Sequence, residues 1–145
     1  MPQSVFRIPV AVVLAFLVGP AVADSSATLP SVTSQALLDT TETVIGQPLT
    51  YPAGTADVTV AIITVPPGAE TGWHIHAVPL VGYILEGTLT VDYGDKGTRI
   101  YPAGSALVEA MNWPHDRMNR GSVPVRILAV YAGAKGMPTA EAVAH

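Results

Sequence analysis

Residues 81–101 read VGYILEGTLTVDYGDKGTRIY, and most of what the sequence says about the fold begins there. The run is rich in β-branched and aromatic residues, which favour strands. It is interrupted at Glu86-Gly87 and again by the polar group Gly-Asp-Lys-Gly at residues 94–97, which is typical of a hairpin turn. These features predict three short strands in succession, joined first by a corner and then by a hairpin.

Similar short runs lie on both sides of this region, and Gly or Pro residues separate them. Residues 57–65, DVTVAIITV, are dominated by β-branched side chains, which predicts a strand with both faces largely buried. The other runs are residues 71–77, 106–109, 115–119 and 125–131. Since no long stretch after residue 23 has apolar residues at helical spacing, the predicted fold class is all-β, an antiparallel sandwich or barrel.

The composition excludes several classes of function. A chain of 145 residues, 49% hydrophobic and 12% charged, forms one domain and is not disordered. With 7 Lys and Arg against 11 Asp and Glu, the net charge is −4, so we expect no basic surface for nucleic acid. The absence of Cys excludes disulfides, a zinc ribbon and a thiol nucleophile. Any chemistry must come from carboxylates, hydroxyls or the 4 histidines.

Residues 1–23 have the features of a secretory signal peptide. Arg7 is the only charged residue among them, an apolar run follows at residues 8–18, and Ala21 and Ala23 have the spacing of a cleavage site. The apolar run is shorter than the ~20 residues that a membrane-spanning helix needs. We therefore expect cleavage after Ala23 and a periplasmic or secreted protein with no membrane anchor.

The rest of the chain divides into three parts. Residues 24–33 are rich in Ser, Ala and Thr and are expected to form a flexible lead. The β-domain is expected at residues 34–136, and residues 137–145 are expected to form a C-terminal tail.

His74 and His76 are the residues on which a functional prediction depends. Because they lie two residues apart on a predicted strand, their side chains project from the same face. The apolar neighbours Trp73 and Ile75 favour a functional pair over a coincidental pair on a polar surface. His115 opens another predicted strand, so three imidazoles are available to bind one ion.

These residues resemble the motifs of a known family, the cupins. The family's first motif has a Gly, five residues, His-x-His and a closing Gly, and similar residues here are Gly68, His74, His76 and Gly87. The second motif is similar to residues 102–119, which begin with Pro-Ala-Gly and end with His-x-x-x-Asn. More narrowly, the chain resembles the short exported single-domain bacterial cupins.

The resemblance implies a small double-stranded β-helix, or jelly-roll, barrel that is usually a homodimer. It also implies a divalent metal ion held inside the barrel by His74, His76 and His115. Three imidazoles suit Fe, Mn, Ni, Cu or Zn, and the type of ligand does not choose among them. Three protein ligands would leave coordination positions open, as a catalytic metal requires.

The chain departs from the family's first motif at Leu80, where the family has a glutamate ligand. Glu109 is the candidate replacement, because it closes an apolar strand six residues before His115 and similar short cupins have an acid in this place. Its side chain is expected either at an exposed strand end or inside the barrel. Inside, it would act as a metal ligand or as a general base in an apolar pocket.

The expected substrate site is apolar with one positive charge. Leu80 and Ile84, together with Ile62, are the apolar residues expected to line it. Arg117 alternates in phase with His115, so it would either face the cavity and bind an anionic substrate or lie solvated on an edge strand.

Three functions remain open at this point. With a redox-active metal the resemblance implies dioxygenase-like cleavage of a small organic substrate, and with Zn or Mn it implies a lyase, isomerase or hydrolytic reaction. The second possibility is a non-catalytic protein that binds a metal or small molecule in the periplasm, which the loss of the acid at Leu80 favours. The third is a structural barrel with vestigial histidines.

Overall fold

A computed structural model describes residues 31–144, and the unit considered below begins at Ser34. The predicted signal peptide, most of the predicted lead and His145 lie outside the described residues. Within the described part, no helix is long and apolar enough to cross a membrane.

The described residues form nine strands and one short 3-10 turn, and every strand pair is antiparallel. The strands are β1 (Ala56–Val65), β2 (His74–Ile75), β3 (Leu80–Glu86), β4 (Thr88–Asp92), β5 (Thr98–Pro102), β6 (Ala106–Val108), β7 (Asp116–Met118), β8 (Val125–Ala134) and β9 (Glu141–Ala142). They form a four-stranded sheet in the order β1-β8-β3-β6, a three-stranded sheet in the order β5-β4-β7, and the pair β2-β9. The prediction of an all-β, antiparallel jelly-roll barrel is confirmed.

The hairpin predicted at residues 94–97 joins β4 to β5. Gly94–Lys96 forms the 3-10 turn, and the Gly94 N–H donates a hydrogen bond of 2.9 Å to the Asp92 carboxylate. The corner between β3 and β4 depends on Gly87, which has φ of 76°. A Cβ at this position would lie 2.6 Å from the Pro124 carbonyl oxygen, so only glycine fits the corner.

Alternating residues of the long strands form the core. On β8, Val125, Ile127 and Ala129 are buried, and on β4, Leu89 and Val91 are buried. The core consists of two clusters, one around β4 and one around residues 78–80 and β8. The polar residues described below lie beside these clusters, on β2 and β7 and in the segment that follows β6.

One prediction about the core is wrong: β1 is not buried on both faces. Val58, Val60 and Ile62 are 61%, 63% and 48% exposed, and Ile62 therefore does not line an internal site. The reason is topological, since β1 is an edge strand that pairs only with β8, and no other described segment covers its outer face. Apolar residues at both parities do not distinguish a buried strand from a strand with an uncovered apolar face.

The predicted C-terminal tail contains a strand that the sequence did not indicate. In β9, Glu141 pairs with Ile75 and Ala142 pairs with His74, so the segment lies alongside the first histidine motif. The Val143 N–H also donates to the Trp73 carbonyl oxygen at 3.0 Å. A two-residue strand has no detectable periodicity, which explains why the sequence did not predict it.

Candidate metal centre

The fold brings three histidines from two distant segments together. His74 lies on β2 and His76 follows it, while His115 forms an antiparallel bridge with His74 through two main-chain hydrogen bonds of 3.1 Å. The three ring centroids are 4.5 to 5.1 Å apart, and one ring nitrogen from each histidine lies within 4.8 Å of the others. The structure therefore places together the three residues that the sequence proposed as metal ligands.

Main-chain carbonyl groups orient all three rings. Each Nδ1 lies at hydrogen-bonding distance from a carbonyl oxygen: 2.7 Å from Gly72 for His74, 2.6 Å from Thr139 for His76, and 2.9 Å from Trp113 for His115. Because a carbonyl oxygen only accepts, each Nδ1 must carry the proton, and each Nε2 keeps its lone pair. This is the arrangement in which histidines bind metals through Nε2.

The protonation states of the histidines also favour metal binding. Burial lowers the pKa of His74 to about 4 and the pKa of His76 to about 3. Burial likewise lowers the pKa of His115, although the neighbouring Glu109 opposes this. The three rings are therefore neutral near pH 7, which is the form that coordinates a cation.

The donor atoms fit a divalent cation on two further observations. His115 Nε2 is fully buried and has no hydrogen-bond partner in the described chain, which is costly for a polar atom. This nitrogen also faces a second acceptor, Glu109 Oε2, at 3.7 Å. Because the imidazole proton is on Nδ1, no proton lies between the two acceptor atoms. A cation would satisfy both atoms, and imidazole with carboxylate suits several first-row divalent metals.

Glu109 is inside the barrel, with only 1% of its surface exposed. Its Oε1 accepts hydrogen bonds from the Tyr93 hydroxyl at 2.7 Å and the Ala110 N–H at 2.9 Å. Burial alone would raise the pKa of this carboxyl, but the positive charge of Arg117 and the hydrogen bonds hold the pKa below its usual range. Glu109 is thus an ionised carboxylate whose Oε2 faces the histidines.

Arg117 is also buried, with 4% of its surface exposed. It lies on β7, and its Nη2 is 2.7 Å from Nε2 of His76 and 3.4 Å from Oε2 of Glu109. Of the two placements that its position in the sequence allows, the structure has the inward one. The guanidinium and the Glu109 carboxylate form a buried ion pair beside the three rings.

Leu80 and Ile84 lie in the core rather than around an open cavity. Leu80 packs with Val78, Ala129 and Tyr131, and the Tyr131 ring is 5.7 Å from the His76 ring. Ile84 is fully buried in the other core cluster. Their contact with a substrate stays a prediction. Leu80, at the sequence position of the family's glutamate ligand, is thus an apolar core residue.

Tyr93 and Thr139 are site residues that the sequence analysis did not identify. Tyr93 donates to Glu109, and burial raises the pKa of its phenol well above the usual range, so it remains a donor. Its phase with the buried Leu89 and Val91 could have indicated that it faces inward. Thr139 acts through its main-chain carbonyl. Since every residue has such a carbonyl, the side chain at this position gives no indication of the role.

Comparisons with known proteins agree with this fold. The family described as "Cupin domain" matches residues 61–131, which contain the three histidines together with Glu109 and Arg117. A search of curated proteins finds no match.

Several solved structures are similar. The polyketide cyclase RemF from Streptomyces resistomycificus has a TM-score of 0.53 and 24% identity over 61% of each chain. An oxalate decarboxylase from Lactobacillus farciminis, solved as a formate complex, has a TM-score of 0.52 and 22% identity, over 63% of this chain and 27% of its own. A structure of oxalate oxidase has a TM-score of 0.52 and 23% identity, over 59% of this chain and 46% of its own. At these identities the likeness to the solved structures concerns the fold alone. The family match is what assigns the β-domain, over residues 61–131, to the cupin superfamily.

Proposed function

We propose that this cupin is a metal-dependent enzyme that acts on a small anionic organic molecule, with dioxygenase-like chemistry if the metal is redox-active. The observation that carries this proposal is the buried, ionised Glu109 carboxylate beside three neutral imidazoles. A site that only held an ion through the three histidines would not need the additional buried pair of Glu109 and Arg117. Such perturbed groups around a metal are typical of catalytic sites.

Each polar residue has a distinct part in this proposal. His74, His76 and His115 would hold the metal, which when bound would activate a chelated substrate as a Lewis acid or redox centre. Tyr93 and Ala110 occupy Oε1 of Glu109, whereas Oε2 has, within the described chain, only the longer hydrogen bonds of 3.4 Å with Arg117. Oε2 is therefore the oxygen that would accept a proton from the substrate. Arg117 would bind the negative charge of that substrate.

The charge balance of the site supports an anionic substrate. The imidazoles are neutral, and the charges of Glu109 and Arg117 cancel each other. A divalent cation would therefore leave two uncompensated positive charges in a buried site, which is unfavourable. A carboxylate or an enolate that chelates the metal would supply one of the two missing negative charges, and a ligand with both groups would supply two.

The enclosure of the site favours a second candidate, a non-catalytic protein that binds a metal ion or small molecule. His76 and His115 are 1% and 0% exposed, and β9 lies alongside β2. The surface depression bounded by Gly94, Asp95 and Trp113 contains none of the histidines. An enclosed site of this kind suits a retained ion, whereas an enzyme with this site needs a substrate small enough to reach His74.

We also propose that the protein is exported after cleavage at Ala23 and that it is a homodimer. The features of residues 1–23 support export. The outer face of the β1-β8-β3 sheet supports a dimer, since its apolar side chains Val58, Val60, Ile62 and Val81 are all more than 40% exposed. Large uncovered apolar patches usually mark an interface, and most interfaces between identical chains are two-fold symmetric.

Glu109→Gln tests the enzymatic proposal directly. The wild-type protein, loaded separately with Fe²⁺, Mn²⁺ and Zn²⁺, is assayed against a panel of small carboxylates and enols with oxygen uptake as one readout. We expect turnover in the wild type and at least a hundredfold loss in the variant with its metal retained. Turnover that survives in Glu109→Gln would contradict the assigned role, and no turnover by the wild type on any substrate would favour the binding protein.

A further inference from the structure

His76 Nε2 has two uses that exclude each other. Its Nδ1–H donates a hydrogen bond to the Thr139 carbonyl oxygen, so Nε2 is the ring nitrogen that carries an available lone pair. In the structure that lone pair accepts a hydrogen bond of 2.7 Å from Arg117 Nη2. The same lone pair would have to coordinate the metal, and it cannot do both.

We propose that Arg117 is an internal competitor of the metal ion and sets the affinity of the site. A cation can bind His76 only after the guanidinium has left Nε2. This inference rests on the proposed metal function and deepens it, because it names the residue that limits metal binding.

The hydrogen bonds of Arg117 show which contact the ion must displace. The contact with His76 is the short one, whereas Nε and Nη2 both lie 3.4 Å from Glu109 Oε2. A guanidinium that leaves His76 can turn toward this carboxylate and form closer paired bonds with it. The displaced charge therefore keeps its partner inside the protein, and the exchange does not require Arg117 to reach solvent.

The asymmetry among the histidines also predicts an order of binding. His115 Nε2 has no hydrogen-bond partner in the described chain, whereas His76 Nε2 has the Arg117 contact. His115 can therefore coordinate the cation before Arg117 has moved, whereas His76 joins last.

The test compares proteins in which the net charge of the site is the same. Arg117→Met removes the competitor and one positive charge, and Glu109→Gln removes one negative charge, so the double variant matches the wild type in charge. Zn²⁺ affinity is measured on the full-length protein, as the host cell processes it, by competition with a chromogenic chelator. Because Glu109→Gln alone already lacks the carboxylate that faces the ion, this single variant is the second reference. Loss of a buried hydrogen bond to a charged group should make the double variant bind Zn²⁺ about tenfold more tightly than Glu109→Gln, and more tightly than the charge-matched wild type. Arg126→Met, at an exposed arginine on β8, is the control and should not change the affinity.

A second measurement needs no substitution. In ¹⁵N-labelled wild-type protein, the Arg117 side-chain N–H signals should shift strongly as Zn²⁺ saturates the site. A Zn²⁺ affinity in the double variant no higher than in Glu109→Gln, or unchanged Arg117 signals at saturation, would overturn the inference but leave the metal site intact. If neither the wild type nor any variant binds Zn²⁺, the proposed function fails and the inference fails with it.

Discussion

The interior of this barrel contains charged residues, whereas the outer face of its largest sheet is apolar, which is the reverse of the usual distribution. Inside, Glu109 and Arg117 are charged and almost completely buried next to three imidazoles. Outside, Val58 and Val60 on β1 are more than 60% exposed. Buried charges reduce stability and exposed apolar patches reduce solubility, so each arrangement is expected where something else binds. The comparison supports the proposals of a metal and an anion inside and of a second copy of the chain outside.

The largest expected effect is on the outer face. Val60→Glu places a charge in the centre of the apolar patch and should convert the proposed homodimer into a monomer, because an unpaired charge cannot be buried in an interface. Light scattering coupled to size-exclusion chromatography measures the mass. Thr59→Glu, at the preceding residue and on the opposite face of β1, is the matched control and should leave the dimer intact. A monomeric wild-type protein would contradict the proposed role of this face.

The next effect is on the interior. Arg117→Met leaves Glu109 as an unpaired buried carboxylate and should lower the free energy of unfolding by about 3 kcal/mol. Adding Glu109→Gln should recover a large part of this loss, since the two residues interact directly. Urea unfolding with a metal chelator present measures both values. Additive losses in the double variant would show that the two side chains are not coupled.

A smaller effect is expected from a change of one pH unit. The pKa values of His74 and His76 in the folded protein, about 4 and about 3, lie below the ordinary value of 6.5. The unfolded chain therefore binds more protons than the folded one as the pH falls below 6.5, and stability must fall with it. With a chelator present, the free energy of unfolding should fall between pH 6 and pH 4 by up to about 1.4 kcal/mol per pH unit for each histidine.

His74→Ala and His76→Ala, tested singly, should each flatten this slope. Urea titrations at several pH values give the comparison. A wild-type slope that neither substitution changes would show that these rings do not titrate as the structure indicates.

The smallest expected effect concerns the C-terminal segment. A chain that ends at Pro138 lacks the Thr139 carbonyl that orients His76, and its Zn²⁺ affinity should fall about tenfold. A chain that ends at Ala140 loses β9 but keeps this carbonyl, and it should bind more tightly than the shorter one. Equal affinities for the two truncated chains would show that Thr139 does not position the ring.

The sequence predicted those features that depend on local pattern. The spacing of His74 and His76 places them on one face of a strand, and the Gly-rich turn at residues 94–97 defines a hairpin whatever surrounds it. The approach of His115 to this pair was accessible only through the resemblance to a family, because spacing alone does not show which strands become neighbours.

The remaining features depend on contacts between distant segments. The hydrogen bond from Tyr93 to Glu109 joins the residue that follows β4 to the residue that follows β6, and the Thr139 carbonyl reaches His76 across 63 residues. The exposure of β1 follows from its place at the edge of a sheet, which residues 57–65 do not specify. Nor does the sequence show that Arg117 contacts the lone pair that a metal would need. These are properties of tertiary packing.

The metal content of the purified protein tests the central claim most directly. Elemental analysis should find close to one divalent metal ion per chain in the wild type and in His145→Ala, which changes the fourth histidine. The double variant His74→Ala/His76→Ala should contain none. A wild-type protein without metal that takes up none on titration, or a double variant that keeps its metal, would contradict the account.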